Sequence, residues 1–380
     1  MNEENIKYIG FAKKIVLLSI AAYIVIFFAV NIQNLSFDNI RRFYVSVRNT
    51  FFTSQPLSSD KIIFPSDSKI KTDIYKDGLV VLTQKTLTVY DNNGRKYSAH
   101  SVSLRNPVLK TSEKYIICFD RGNKMFYVMD SFNILLELKT EENIINATID
   151  ERGYISVITE KFGYKAMISV YDSNFNNIFN WYSKDYLLNS FFTSKNTLSA
   201  IAITPDKDTF DTIIYNINFT NGTYEIAETF KNNFILSAAA KEDHSIEMLT
   251  DSGIISFWQS DYNVLYDHKQ LPIEYFYQDS RYTIVSNTVN QKSEVFQITA
   301  FDKNGNTLFE KDYEKVKYIY CFQDYFMVIA HNQLYVLDKK GTEVLVHDAQ
   351  NVLEILVSHN SGYLINNEYA EKINIFSLIS

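Results

Sequence analysis

The sequence predicts an all-β chain folded as an eight-bladed propeller, and three observations carry that prediction. The first is a pattern that returns: an apolar strand runs into Asp or Asn, a tight turn follows, and another short strand begins. It occurs at Leu87–Gly94, Met125–Asn133, Ile168–Asn176, Ile213–Gly222, Ile254–Asn263, Phe296–Gly305 and Leu334–Gly341, with a clipped copy at Ile373–Leu378. The strand ends at 91, 130, 172, 216, 259, 302, 338 and 377 are separated by 39, 42, 44, 43, 43, 36 and 39 residues, the period of a four-stranded blade. The second is a set of turns in register with these markers, from Lys76-Asp77-Gly78 to Asn360-Ser361-Gly362. The third is composition: 27 Tyr and 28 Phe against 2 Trp favour strands. Seven blades is the alternative, should the divergent fourth or eighth copy not form one.

Taken in order, the chain begins with a tail, residues 1–14, followed by a stretch without charge from Ile15 to Phe37. That stretch is long enough to span a bilayer as a helix. Phe27-Phe28-Ala29-Val30-Asn31 offers no small-x-small cleavage site, so residues 15–35 are expected to be an uncleaved signal anchor in contact with lipid. Lys7, Lys13 and Lys14 precede it, which orients the N-terminus inside and the body outside the cytoplasmic membrane. Residues 36–60 are expected to form a juxtamembrane helix and linker. Ile40, Phe43, Tyr44, Val47 and Phe51 fall on one helical stripe, suited to an anionic lipid surface or to the end of the anchor leaning on the body.

The propeller proper is expected over 61–380. Runs such as Tyr115-Ile116-Ile117-Cys118-Phe119 and Tyr325-Phe326-Met327-Val328-Ile329 read as second strands buried on both faces, as blades packed face to face require. Third strands such as Leu87-Thr88-Val89-Tyr90 alternate, in keeping with the rim. With only 11 Gly, Asn pairs such as Asn92-Asn93 and Asn176-Asn177 are expected to supply positive φ in the turns. The final blade has Leu353–Val357, Gly362–Ile365 and Lys372–Leu378 but no fourth strand, while Lys61–Phe64 is a strand without a blade. Pairing Ile62–Phe64 beside Ile373–Phe376 closes the ring and removes an exposed edge.

Net charge is −7, and the first 32 residues contribute +1, which leaves −8 on the body. An acidic body without a basic stripe argues against nucleic acid. Cys118 and Cys321 lie in apolar strands three blades apart and are expected to be free thiols, with no disulfide partner.

No zinc-protease, P-loop, dinucleotide or nucleophile-elbow motif occurs. The six His residues show no ligand spacing, and Asp302-Lys303-Asn304-Gly305-Asn306 is better read as a hairpin turn than as a calcium loop. No catalytic residue, metal or cofactor is assigned. Three connections between second and third strands are longer than the rest, at 161–165, 205–209 and 290–293. Lys161, Phe162, Tyr164, Asp206, Lys207, Asp208 and Lys292 are therefore the candidate binding residues, since long loops on a rigid scaffold usually carry recognition.

A short tail, one span and repeats of the form apolar strand–Asp–x–x–Gly resemble the uncharacterised membrane-anchored propeller proteins of Gram-positive anaerobes, whose repeats are similar in kind to quinoprotein-type and WD-type propellers. The resemblance implies the fold and a place in the envelope. The vicinal Cys pair and Trp platform that a quinone site of that type would use are absent.

The function expected from this reading is a non-enzymatic binding or scaffolding module for envelope proteins or wall polymers. The alternatives are a glycan hydrolase or lyase using channel carboxylates, and the sensory ectodomain of a partner-dependent signalling system.

Overall fold

The computed structural model describes residues 19, 37–52, 61–65, 69–206, 209–241, 245–251, 253–258, 261–267, 272–279, 281–290, 292, 294–358 and 362–374. The strands form eight four-stranded antiparallel sheets, seven of them in simple sequence order. The eighth takes Lys61–Ile63 as its outermost strand, beside Tyr369–Ile373. The innermost strand of blade eight (Glu354–Val357) touches that of blade one (Lys71–Tyr75), so the ring is closed.

Each seam between blades holds its own apolar cluster, including the seam of blade eight with blade one, where Ile62, Phe64 and Tyr363 meet Leu79 and Val81. Second strands such as Gly78–Leu82, Ile116–Asp120 and Ile155–Thr159 are buried along their whole length. No sheet hides both faces alone, and burial is completed only by the next blade round.

Where an Asp ends the third strand, at 91, 130, 172, 302 and 338, it is a turn device. Asp91 Oδ1 accepts from the N–H groups of Asn93 and Arg95 at 2.8 and 2.7 Å. Asp172 and Asp338 do the same for the residues two and four further on. Asp302 spends its Oδ1 on Asn304 and Asn306 (2.9 and 2.8 Å), which makes the calcium-like stretch a hairpin turn. In blades one to seven the fourth strand then carries a register shift against the third, a bulge that bends the rim.

Positive φ in these turns falls elsewhere than expected. Gly94 takes it in blade one and Phe175 in blade three. Asn176 is instead held as a donor to the Asp172 carboxylate at 3.0 Å.

Two further expectations shift in register. The closing strand pairs with the expected partner, but Lys61, Ile62 and Ile63 face Glu371, Ala370 and Tyr369, not Ile373–Phe376. Asn366 is the cause: its Oδ1 accepts from the Glu368 and Tyr369 N–H groups (2.8 and 2.7 Å). That early turn starts the third strand at Tyr369 and not at Lys372. In blade four, Thr197–Asp206 pairs with Thr209–Asn218 without a break as far as Asp206↔Thr209. The expected long loop there is strand up to a two-residue connection, and the turn marker moves from Asn216 to Asn218, whose Oδ1 accepts from Thr220 and Asn221.

Cys118 and Cys321 are buried free thiols, and burial raises both pKa values. Residues 1–56 form a separate unit. Within it the helix Phe37–Phe52 exposes Phe37, Ile40, Phe43 and Tyr44 and covers Asp38 and Arg42. Apart from Ser19, the expected anchor at 15–35 lies outside the described residues. Among the described residues no helix is long and apolar enough to cross a membrane.

Candidate functional site

Blades two and three pack closely near the axis and part towards the rim. Ile117, Phe119, Phe126 and Val128 of blade two meet Ile144, Ala147, Ile155 and Val157 of blade three in a dry cluster. Further out the same face of blade three turns polar, with Thr159, Ser169, Asn177 and Asn180 beside Tyr171 and Tyr182, and a cleft of about 360 Å³ opens.

Strand pairing dictates this. Thr159 (second strand), Met167 and Ser169 (third) and Asn180 (fourth) stand side by side in the sheet, on the face opposite Ile158, Ile168 and Trp181, which pack on blade four. The Asn177 and Asn180 amides bond each other reciprocally at 3.2 and 2.9 Å, and Ser169 donates to Asn180 Oδ1 at 2.8 Å. Thr159 is 3% exposed, and its hydroxyl has no hydrogen-bond partner among the described residues.

The loop singled out by its length borders this cleft. Lys161 lines it and is paired with Glu141 of blade two at 3.1 Å. The Tyr164 ring packs on Tyr182, centroids 5.1 Å apart. Phe162 at the tip is 94% exposed, and Lys165 donates to the Tyr186 hydroxyl at 3.0 Å. Asp206 stands at the end of a blade-four strand and Lys292 in a blade-six turn. Lys207 and Asp208 lie outside the described residues. The structure thus brings Lys161, Phe162 and Tyr164 to one place and sets Asp206 and Lys292 on other blades.

The axis carries a second set of groups, which sequence reasoning did not single out. The innermost strands are tied blade to blade by side chains. Thr72 donates to Glu354 (3.4 Å), Thr111 to Asp73 (3.0 Å), Lys110 to Asn146 (3.0 Å) and Asn146 to Asn189 (3.2 Å). The rings of Tyr277 and Tyr320 continue the belt at 4.4 Å.

Burial pushes the Asp73 carboxyl up to about 6, against the Ile74 N–H and Thr111 hydroxyl that hold its anion. Burial, with the nearby charge of Asp73, raises Glu354 to about 7. Burial lowers Lys110 to about 8, Arg121 adding to the effect. The available signal was one polar residue inside otherwise apolar first strands, as in Ile144-Ile145-Asn146-Ala147. Among the described residues no group of His, Cys, Asp and Glu is placed to hold a metal ion.

Architecture defines the class first: this is an eight-bladed β-propeller closed by its N-terminal strand. A model for a family of unknown function, DUF5711, matches residues 50–375. The chain belongs to that family. No curated protein matches it. Among solved structures it is similar to the crystal structure of the eukaryotic initiation factor, with 11% identity, 82% of this chain and 90% of that chain covered, and a TM-score of 0.52. It is also similar to apo AztD from Citrobacter koseri, with 13% identity, 78% and 88% covered, and a TM-score of 0.52. At such identities the likeness is one of fold alone.

Proposed function

We propose that this protein is a membrane-tethered propeller, held outside the cytoplasmic membrane, that binds envelope proteins or wall polymers. The observation that carries the reading is Phe162, 94% exposed on a loop anchored by the Tyr164–Tyr182 contact and the Lys161–Glu141 pair. An exposed aromatic on a rigid support beside a cleft is what recognition surfaces use. The tether rests on the uncharged stretch at 15–35 and on the exposed apolar side chains Phe37, Ile40, Phe43 and Tyr44 that follow it.

Cross-linking on intact cells, comparing the native chain with one carrying Phe162→Ser, Tyr164→Ser and Asp206→Ser, tests the binding role. The expected result is loss of the captured species, and an unchanged capture pattern would overturn it. Membrane-impermeant maleimide tests the topology. It is expected to label Lys340→Cys and not Asn2→Cys, and the reverse pattern would refute the orientation.

A second reading, cleavage of a glycan, is favoured by one observation: Asp73 and Glu354 stand on adjacent innermost strands with both carboxyls raised towards neutrality, the condition for a general acid. Its test is release of reducing ends from wall polysaccharide by the native chain, abolished in Glu354→Gln. No release by the native chain removes this reading.

A further inference from the structure

We infer that the cleft between blades two and three binds a neutral sugar unit of a glycan. This rests on the protein being a binding module and names the class of ligand. The cleft's 360 Å³ falls at the lower end of ligand sites, which span about 300–1,000 Å³. Its walls are of two kinds. Tyr182, packed on Tyr164, supplies aromatic surface, and the C–H face of a pyranose packs on such rings as other apolar groups do.

The Asn177–Asn180 pair supplies the polar wall. The reciprocal bonds and the Ser169 hydroxyl fix both amides; Asn177 also meets the Tyr171 hydroxyl, and Asn180 keeps one N–H for a ligand. Adjacent sugar hydroxyls, each both donor and acceptor, match that arrangement. At the base, the Thr159 hydroxyl is buried and without a partner among the described residues. Buried polar groups in folded proteins are normally satisfied, and a ligand hydroxyl would complete it.

Charge selects against ionic ligands. Lys139 and Lys161 face Glu141 and Glu142 around the cleft, and the Lys161–Glu141 pair is closed on itself. The lining therefore sums to zero, with Lys161 held by Glu141 and the charge of Lys139 offset by that of Glu142.

The test is calorimetry on the full chain in lipid nanodiscs, free of sugar-headed detergent. The probes are tetrasaccharides of N-acetylglucosamine, glucose and mannose, with tetragalacturonate and tetra-alanine as the acidic and peptide alternatives. At least one neutral tetrasaccharide is expected to bind, with affinity falling tenfold or more in Tyr182→Ala and Asn180→Ala. It should fall several-fold in Thr159→Val and stay unchanged in Tyr182→Phe. The near-isosteric Thr159→Val and Tyr182→Phe variants guard against loss of fold, checked by melting.

Binding of tetragalacturonate or tetra-alanine in place of every neutral sugar would overturn the inference, as would sugar binding indifferent to Tyr182→Ala. If no tetrasaccharide binds while the Phe162/Tyr164/Asp206 variant still loses its captured species on cells, the glycan assignment falls and the binding module stands. If both experiments fail, both readings fall.

Discussion

The seam between blades six and seven and the seam between blades two and three are built on one plan and end differently. In the first, Phe309 and Phe326 are 5.1 Å apart, Tyr282 and Phe326 5.2 Å, and Tyr313 and Tyr335 4.9 Å, so rings fill it outwards. Lys311 and Tyr313 of blade six then reach Glu343 of blade seven at 2.6 and 3.0 Å. In the second, Leu136, Leu138, Tyr171 and Phe175 still pack on the cluster, but the face at Ser169 and Asn180 is left open. Val328 pairs with Tyr335 in blade seven as Val157 pairs with Ser169 in blade three. A serine thus stands where the other seam has a tyrosine, and the volume of that missing ring is part of the cleft. Burial near the axis makes the fold, and the third and fourth strands decide what is left open.

The largest expected effect lies in the filled seam. Phe326 is fully buried and touches rings on two sides, so Phe326→Ala should cost about 3–5 kcal/mol. Tyr182→Ala, a half-exposed ring beside the open cleft, should cost about 1 kcal/mol or less. Denaturant midpoints of the two variants check this, and equal losses would erase the distinction between the seams.

A reciprocal exchange comes next. Tyr335→Ser should lower stability by about 2 kcal/mol and leave a void in seam six–seven. Ser169→Tyr should change stability by about 1 kcal/mol at most, because its ring enters existing space. The second variant also blocks the cleft. Should Ser169→Tyr destabilise as much as Tyr335→Ser, the cleft is not the counterpart of a ring.

How far the sequence foretold these features follows from the range of the interactions. Runs such as Ile116–Phe119 declare burial on both faces locally, and Asp91 or Asp302 declares a turn within five residues, so blades and turns were legible. The register of the closing strand was not, because Tyr369-Ala370-Glu371-Lys372 has no apolar alternation and its start is set by the Asn366 side chain. Phe162 and Tyr164 could be found through loop length. A polar residue such as Asn146 in an apolar first strand hinted at the belt on the axis, but its pairings could not be read, since Thr72 meets Glu354 across 282 residues and nothing near either announces the other. Ser169 becomes informative only once blades three and seven are superposed by their pairing.

The inner ends of the two seams also differ, and pH separates them. Lys110 joins blades two and three through Asn146, whereas Tyr277 and Tyr320 meet between blades six and seven. Lys110 is lowered to about 8 in the fold, against an ordinary value near 10.4 in an unfolded chain. Between these values the unfolded state holds more protons, so stability should rise with pH from about 8 to 10. The gain is on the order of 2 kcal/mol, measured by urea denaturation at fixed ionic strength. Lys110→Met should remove this slope, and a slope that survives it belongs to another group.

The smallest effect concerns the rim of the filled seam. Lys311 and Glu343 are each about one-third exposed, and the Lys311 hydrogen bond holds the Glu343 carboxyl below its usual range. Such half-solvated pairs couple by about 0.2–1 kcal/mol, since water screens them and ordering two long side chains opposes the gain. A double-mutant cycle with Lys311→Ala and Glu343→Ala should return a coupling in that range, smaller in 0.5 M salt. If rings close this seam, the double variant keeps Tyr313 on Tyr335, and the fluorescence of a Tyr313→Trp reporter stays that of a shielded indole. A coupling of several kcal/mol, or a reporter that becomes solvent-exposed in the double variant, would mean that charge holds the rim shut. The open cleft between blades two and three would then owe its shape to having its ion pair, Lys161–Glu141, between loops instead of between fourth strands, and not to Ser169.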